Sequence, residues 1–161
     1  LRGGSTAIGS DVSFVQARVQ ASFVRSFGHR NRLLLRGEIG RTFTGNFDQL
    51  PPSLRFFAGG DRSVRGYGYQ EIGPRVNGKN IGGRNLAVFS IEGEHRITQT
   101  WGAAAFVDAG DAFNASPHAH VGIGVGLRWR SPVGPVRIDI AHGLNDPQSP
   151  LRLHLNIGPD L

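Results

Sequence analysis

Arg62 and Arg65 lie in the run Arg55-Phe56-Phe57-Ala58-Gly59-Gly60-Asp61-Arg62-Ser63-Val64-Arg65-Gly66-Tyr67-Gly68-Tyr69. A planar guanidinium pairs well with carboxylates at close quarters, and Phe56, Phe57, Tyr67 and Tyr69 call for a surface to bury against. The matching acids lie downstream. Glu92 falls on the polar face of one alternating segment, and Asp108 shares a face with Phe106 in the next. The chemistry these residues suit is non-covalent: a loop folded back so that Arg65 meets Asp108 and Glu92. Such a pair costs desolvation and holds only with good geometry.

Other constellations are weaker. His118-Ala119-His120 puts two imidazoles on one side of a strand, half a metal site with no evident third ligand. Asp108 and Asp111 could form an acid–base pair, but a partner for arginine and a loop aspartate is the simpler reading. Gly122-Ile123-Gly124-Val125-Gly126 has the spacing of a dinucleotide loop, yet it lies inside an alternating strand with no helix after it. Its glycines are better explained as space for the long loop, or as bending points. No nucleophile elbow is present, and the absence of cysteine removes disulfides, thiolate metal sites and cysteine nucleophiles. The sequence therefore predicts no catalytic residues, no metal and no cofactor.

The elements that must position Arg65 and its acids are strands. Val121, Ile123, Val125, Leu127 and Trp129 alternate with Gly122, Gly124, Gly126 and Arg128. The same period of two recurs in 136–141 and 151–158, and marks extended strands with one apolar and one polar face. It predicts seven strands, at 12–25, 33–43, 86–97, 102–110, 120–130, 136–141 and 151–158. Tight turns at 28–31, 98–100 and 131–135 alternate with longer connections at 45–85, 111–119 and 143–150. Short turns on one side and long loops on the other are the habit of transmembrane barrels, and they put the C-terminus on the short-turn side. The loop 45–85 is long enough to be functional.

Three features favour a bilayer over a soluble core. The apolar face from Val121 to Trp129 spans about 27 Å, which once tilted fits an apolar band about 25 Å tall. Trp101, Phe113 and Trp129 fall near strand ends, where interfacial aromatic girdles sit. The opposite face is glycine, serine, arginine, glutamate and asparagine, which suits a crowded polar lumen. A soluble barrel or sandwich predicts more lysine there, and Lys79 is the only lysine. The net charge of +6 could suggest nucleic acid, but the arginines lie on strand faces and form no run. The fold expected is therefore all-β, a transmembrane antiparallel β-barrel with a long lumen-inserted loop. Barrels of this kind have even strand numbers and seven is odd; the chain also lacks methionine. Both points predict that 1–161 is the C-terminal part of one larger barrel domain.

These motifs carry a family resemblance over essentially the whole chain. The run 56–74, with Gly59, Gly60, Asp61, Val64, Arg65, Gly66 and Tyr67, resembles the lumen-inserted loop of the bacterial outer-membrane assembly and translocation superfamily, the surface-antigen family. Phe106-Val107-Asp108-Ala109-Gly110 is similar to its Phe-x-Asp-x-Gly strand motif, and Ser90-Ile91-Glu92 to the strand with its acidic partner. Residues 126–135 resemble its last-but-two strand and turn. The ending Gly158-Pro159-Asp160-Leu161 is most similar to the translocation and assembly module branch. Many outer-membrane proteins end in an aromatic residue, and this chain ends in Leu161.

The resemblance implies a barrel of about sixteen strands, preceded by periplasmic transport-associated domains. It implies that Arg65 pairs with Asp108 and Glu92 and stacks near Phe106, with Gly110 completing the docking strand. It implies location in the outer membrane of a Gram-negative cell and a non-enzymatic role in inserting or secreting β-rich outer-membrane proteins or autotransporters. The implied partners are outer-membrane lipid, unfolded β-rich clients and a periplasmic or inner-membrane protein, with no nucleic acid. A seam would open beside the last strand, along Leu151, Leu153, Leu155 and Ile157, whose edge templates a client strand. Two other function classes remain open: a two-partner-secretion type pore for a dedicated exoprotein, with the loop as plug, and a barrel that anchors a fused enzyme.

Overall fold

The computed structural model describes residues 1–4, 12–132, 134–145 and 150–158. It contains ten strands among them: β1 (Arg2–Gly4), β2 (Phe14–Phe27), β3 (Asn31–Thr44), β4 (Arg75–Val76), β5 (Lys79–Asn80), β6 (Asn85–Arg96), β7 (Trp101–Phe113), β8 (His120–Ser131), β9 (Gly134–Gly143) and β10 (Arg152–Ile157). Eight of them form one antiparallel sheet in the order β1-β2-β3-β6-β7-β8-β9-β10. The remaining two form a small ribbon inside the long connection after β3. The fold is an all-β antiparallel meander, and short turns do join β2 to β3, β6 to β7 and β8 to β9. Ile157 pairs with Val136, so β10 runs back to the short-turn end.

The strand count of seven is corrected to eight in the sheet, so the argument from odd parity no longer applies. The extra strand, β1, is Arg-Gly-Gly, which has no alternation to read; backbone pairing of Gly3 with Val15 and Gly4 with Phe14 makes it. The ribbon was also unforeseen, although Asn77-Gly78 signals it. Both residues have positive φ, 50° and 78°, as a two-residue hairpin turn of the right twist requires. Strand β7 runs to Phe113, which makes Asp111 a buried strand residue and not a loop aspartate. Val133 of the turn 131–135, residues 146–149 of the connection 143–150, and Pro159, Asp160 and Leu161 lie outside the described residues.

The two faces of the sheet are partitioned in the reverse of a water-soluble protein. Val19, Phe89, Val125 and Leu153 point outward and are 57–70% exposed. Gln16, Thr42, Ser90, Glu92, Asp108, Arg137, Asp139 and His154 point inward and are buried. The sheet curls, because β2 and β10, near its opposite edges, line one cavity. Trp101 and Trp129 face each other across β7 and β8 and stack with ring centroids 5.6 Å apart near the short-turn end. An apolar face this extensive is stable against hydrocarbon, with the aromatic pair at its border. Inside, the largest apolar cluster joins the sheet to the loop through Phe56, Val64, Tyr67, Ile72, Leu86 and Val88.

This partition predicts a depth-specific penalty. Val125→Arg in the full-length barrel should cost about 2–4 kcal/mol in lipid vesicles, because the charge sits mid-band on the outer face. Ala115→Arg, in the β7–β8 connection, should cost almost nothing. Denaturant unfolding measures both, and equal costs would show that the outer face does not meet lipid.

Candidate functional site: an arginine-anchored lumen loop

The connection from β3 to β6 enters the lumen in an ordered way. Two short 3-10 turns, Phe47–Gln49 and Pro52–Leu54, place Phe47 and Leu50 against Phe14. Bridges Phe56↔Gly83 and Ala58↔Ile72 then bring the chain in and out side by side. The tip between them turns on glycines. Gly59, Gly60 and Gly66 have φ of 98°, 104° and 93°, a region that side chains rarely tolerate. The Gly60 N–H donates to Val64 O and the Ser63 N–H to Gly60 O, which closes the turn and points Arg65 at the sheet.

Arg65 is 2% exposed and all five of its guanidinium N–H groups are directed at partners. Nε and Nη2 grip Asp108 as a fork, at 2.7 Å to Oδ2 and 2.9 Å to Oδ1. Nη1 donates to Glu92 Oε2 at 2.7 Å and to Asp139 Oδ2 at 3.0 Å. Nη2 also reaches Ser90 Oγ at 3.4 Å, and Ser90 Oγ donates to Asp108 Oδ1 at 2.6 Å. The Arg65 backbone N–H adds a bond to Asp108 Oδ2 at 3.1 Å. The guanidinium carbon lies 3.3 Å from the Phe106 ring centroid, in cation–π contact. Burial works against the charge on Arg65, and the hydrogen bonds and charges of Asp108 and Glu92 outweigh it, so its pKa is raised above the ordinary arginine value.

A second layer of charge surrounds this one. Glu92 Oε1 accepts from Arg128 Nη2 at 2.6 Å and Arg137 Nη2 at 2.5 Å. Arg128 also reaches Asp139 Oδ1 at 2.5 Å and Glu94 Oε1 at 3.0 Å. Arg65, Arg128 and Arg137 thus face Glu92, Asp108 and Asp139 across the loop, β6, β7, β8 and β9, and Arg36 of β3 joins them through Ser90 Oγ at 3.3 Å. The resemblance pointed to Glu92, Phe106 and Asp108. Asp139, Arg128, Arg137 and Ser90 went unassigned, although their inward parity on alternating strands was visible in the sequence.

The rest of the motif packs by close approach. Val64 is fully buried, and a Cβ on Gly110 would lie 3.0 Å from its Cγ2. A Cβ on Gly122 would sit 1.8 Å from the Arg65 carbonyl oxygen, so only glycine leaves room for the loop there. Tyr67 Oη donates to Val121 O at 3.3 Å and accepts from the Asn145 N–H at 3.2 Å. The Tyr67 ring meets His120 edge-on with centroids 5.5 Å apart. Asp61 and the Gly66 N–H both bond to His154 of β10, a residue with no role in the sequence reading. Two expectations fail: Arg62 is exposed and Tyr69 is 83% exposed, because the turn at Gly60 and Gly66 directs Val64, Arg65 and Tyr67 inward and leaves those two outside. Among the described residues no group of three metal-ligating side chains exists. Asp111 accepts the His118 backbone N–H at 2.7 Å, away from the Arg65 cluster. Leu151, Leu153, Leu155 and Ile157 are 56–73% exposed, and β10 pairs with β9 alone among the described residues.

Breaking the fork should be costly and coupled. Arg65→Ala in the full-length barrel strands buried carboxylates and should lose about 3–5 kcal/mol of stability. The Arg65→Ala/Asp108→Ala double variant should fall short of the sum of the singles by about 1 kcal/mol or more. Denaturant unfolding gives both numbers; additive losses would show that the two residues act independently.

With this geometry in place, comparisons with known proteins are informative. The profile of the Omp85 superfamily domain matches residues 1–160. The outer membrane protein assembly factor BamA of Nitratidesulfovibrio vulgaris is 28% identical over 153 residues, covering 89% of this chain and 19% of that protein. The crystal structure of BamA from Haemophilus ducreyi lacking POTRA domains 1–3 shares the fold with a TM-score of 0.70 at 20% identity, covering 92% of this chain and 34% of the other. The chain therefore spans about a fifth of the length of the relative it matches.

Proposed function

The chain belongs to the Omp85 superfamily, and from that premise we propose that it forms the C-terminal wall of an outer-membrane barrel that inserts or translocates β-rich polypeptides. On this reading 1–161 is part of one barrel domain of about sixteen strands, with 45–85 as its lumen loop and periplasmic transport-associated domains upstream. The clients are unfolded outer-membrane proteins or autotransporters, and a periplasmic or inner-membrane protein delivers them. The barrel sits in the outer membrane of a Gram-negative cell, with its apolar face against lipid.

One observation supports this reading most directly. Strand β10 has a single neighbour among the described residues, β9, and an outward row of exposed leucine and isoleucine. A strand edge of this kind offers backbone donors and acceptors to an added strand, and lipid-facing side chains at alternate positions match those of a client hairpin. The reaction is an exchange of backbone hydrogen bonds, with no bond made or broken covalently. The charge-locked loop braces the wall beside that edge, so that the edge can open without the sheet losing its curvature.

The reading predicts that the seam must move. The chain has no cysteine, so a disulfide between β10 and the opposing seam strand can be introduced without native thiols from this segment. Oxidation should stop client assembly in the full-length protein, and reduction should restore it. Assembly that proceeds unchanged under oxidation rules out edge exchange. If client assembly is absent in the full-length protein and deletion of 56–74 only raises conductance, the loop is a plug and the protein is a secretion pore.

A further inference from the structure

Strand β10 is short, at six residues, and its register with β9 runs only from Arg152↔Ala141 to Ile157↔Val136. By contrast β2 and β3 pair over fourteen positions. Backbone pairing therefore holds β10 less firmly than the long ladders from β2 to β9 hold their strands. The lumen loop supplies a second hold. His154, 7% exposed, lies on the inner face of β10 with both ring nitrogens engaged. Its Nε2 accepts the Gly66 backbone N–H at 3.1 Å, and its Nδ1 meets Asp61 Oδ1. A backbone N–H only donates, so Nε2 carries the lone pair and Nδ1 carries the hydrogen given to Asp61. One turn of strand away, Arg152 Nη2 lies 3.0 Å from Glu71 Oε2, which also accepts the Gly68 backbone N–H.

We propose that Asp61, Gly66 and Glu71 form a latch that grips β10 through His154 and Arg152, and that this latch sets how readily the outer edge of β10 is released. His154 acts as a positioning residue. The same short turn that carries Asp61 and Gly66 carries Arg65, whose fork on Asp108 fixes the turn to β7. The loop is therefore a strut from β7 across the lumen to β10. Latched, β10 is held in register with β9; unlatched, it relies on its short backbone ladder with β9 and peels. The consequence for client entry rests on the function proposed above, whereas the latch itself does not.

The test is backbone hydrogen–deuterium exchange on the full-length barrel refolded in lipid, with strands β2, β3 and β6 as internal references. His154→Ala should speed exchange across 152–157 by roughly tenfold or more, the change expected when a buried hydrogen-bonded pair is lost, with the reference strands unchanged. Asp61→Ala, which removes the loop's side of the contact, should do the same. His154→Gln keeps one acceptor and one donor and should restore most of the protection. The latch is overturned if β10 exchange is unmoved in both alanine variants, or if every strand accelerates together, or if glutamine behaves as alanine does. The seam disulfide separates the two readings. Fast β10 exchange in His154→Ala together with unimpaired assembly under oxidation defeats client templating and leaves the latch. Unmoved exchange together with blocked assembly defeats the latch and leaves templating.

Discussion

A single guanidinium organises this structure. Arg65 is buried, permanently charged and surrounded by three carboxylates on three different strands. Its position is possible only because every N–H finds an acceptor, since an unpaired charge in that site would cost more than the loop could recover. The fork geometry also restricts how the loop approaches. With Nε and Nη2 on Asp108 and Nη1 shared by Glu92 and Asp139, the turn 59–66 has one orientation, and the glycines that line its path follow from that. Gly122 makes way for the Arg65 carbonyl, and Gly66 passes against the His142–Gly143 backbone, where a Cβ would lie 2.6 Å from the nearest atom.

The charges around Arg65 also explain why the sheet is stable with an apolar outer face. In a soluble barrel the apolar side chains fill the interior and set the curvature by packing. Here they point outward, and the interior must be filled by polar groups whose charges are paired. Arg65, Arg128 and Arg137 pair there with Glu92, Asp108 and Asp139, and Glu94 at the margin takes Arg128 and Arg32. Arginine suits the role better than lysine because its fork bridges two acids at once. That requirement gives physical content to a composition in which Lys79, on the small ribbon, is the only lysine.

Much of the fold was legible because alternation is a local signal. Strands β2, β3, β6, β7, β8, β9 and β10 all carry it, and their lumen and outer faces follow from parity alone. Strand β1 lacks it, since two of its three residues are glycine and it exists only through pairing with β2. The Arg65–Asp108–Glu92 grouping was accessible through residue chemistry and the family resemblance. The further members were not singled out, because register decides them: Asp139 reaches Arg65 only since β9 lies two strands from β7, and nothing in the local sequence states that offset. His154 is the clearest case. Its neighbours Leu153 and Leu155 mark it as inward-facing, but its partners Asp61 and Gly66 lie some ninety residues away.

That distant contact bears on how a strand with one neighbour among the described residues is held in place. A strand with long ladders on both sides would resist any newcomer, and one with a short ladder on one side would fray on its own. β10 has the short ladder, and the loop contacts to its inner face restore order without occupying its outer edge. Side-chain contacts from the lumen side meet the strand on its inner face, while its far edge has no backbone partner among the described residues. The same turn is anchored at Asp108, on β7, three strands away from β10 in the sheet. Two different kinds of bond therefore hold β10, its backbone ladder with β9 and its side-chain contacts with the loop that carries Arg65.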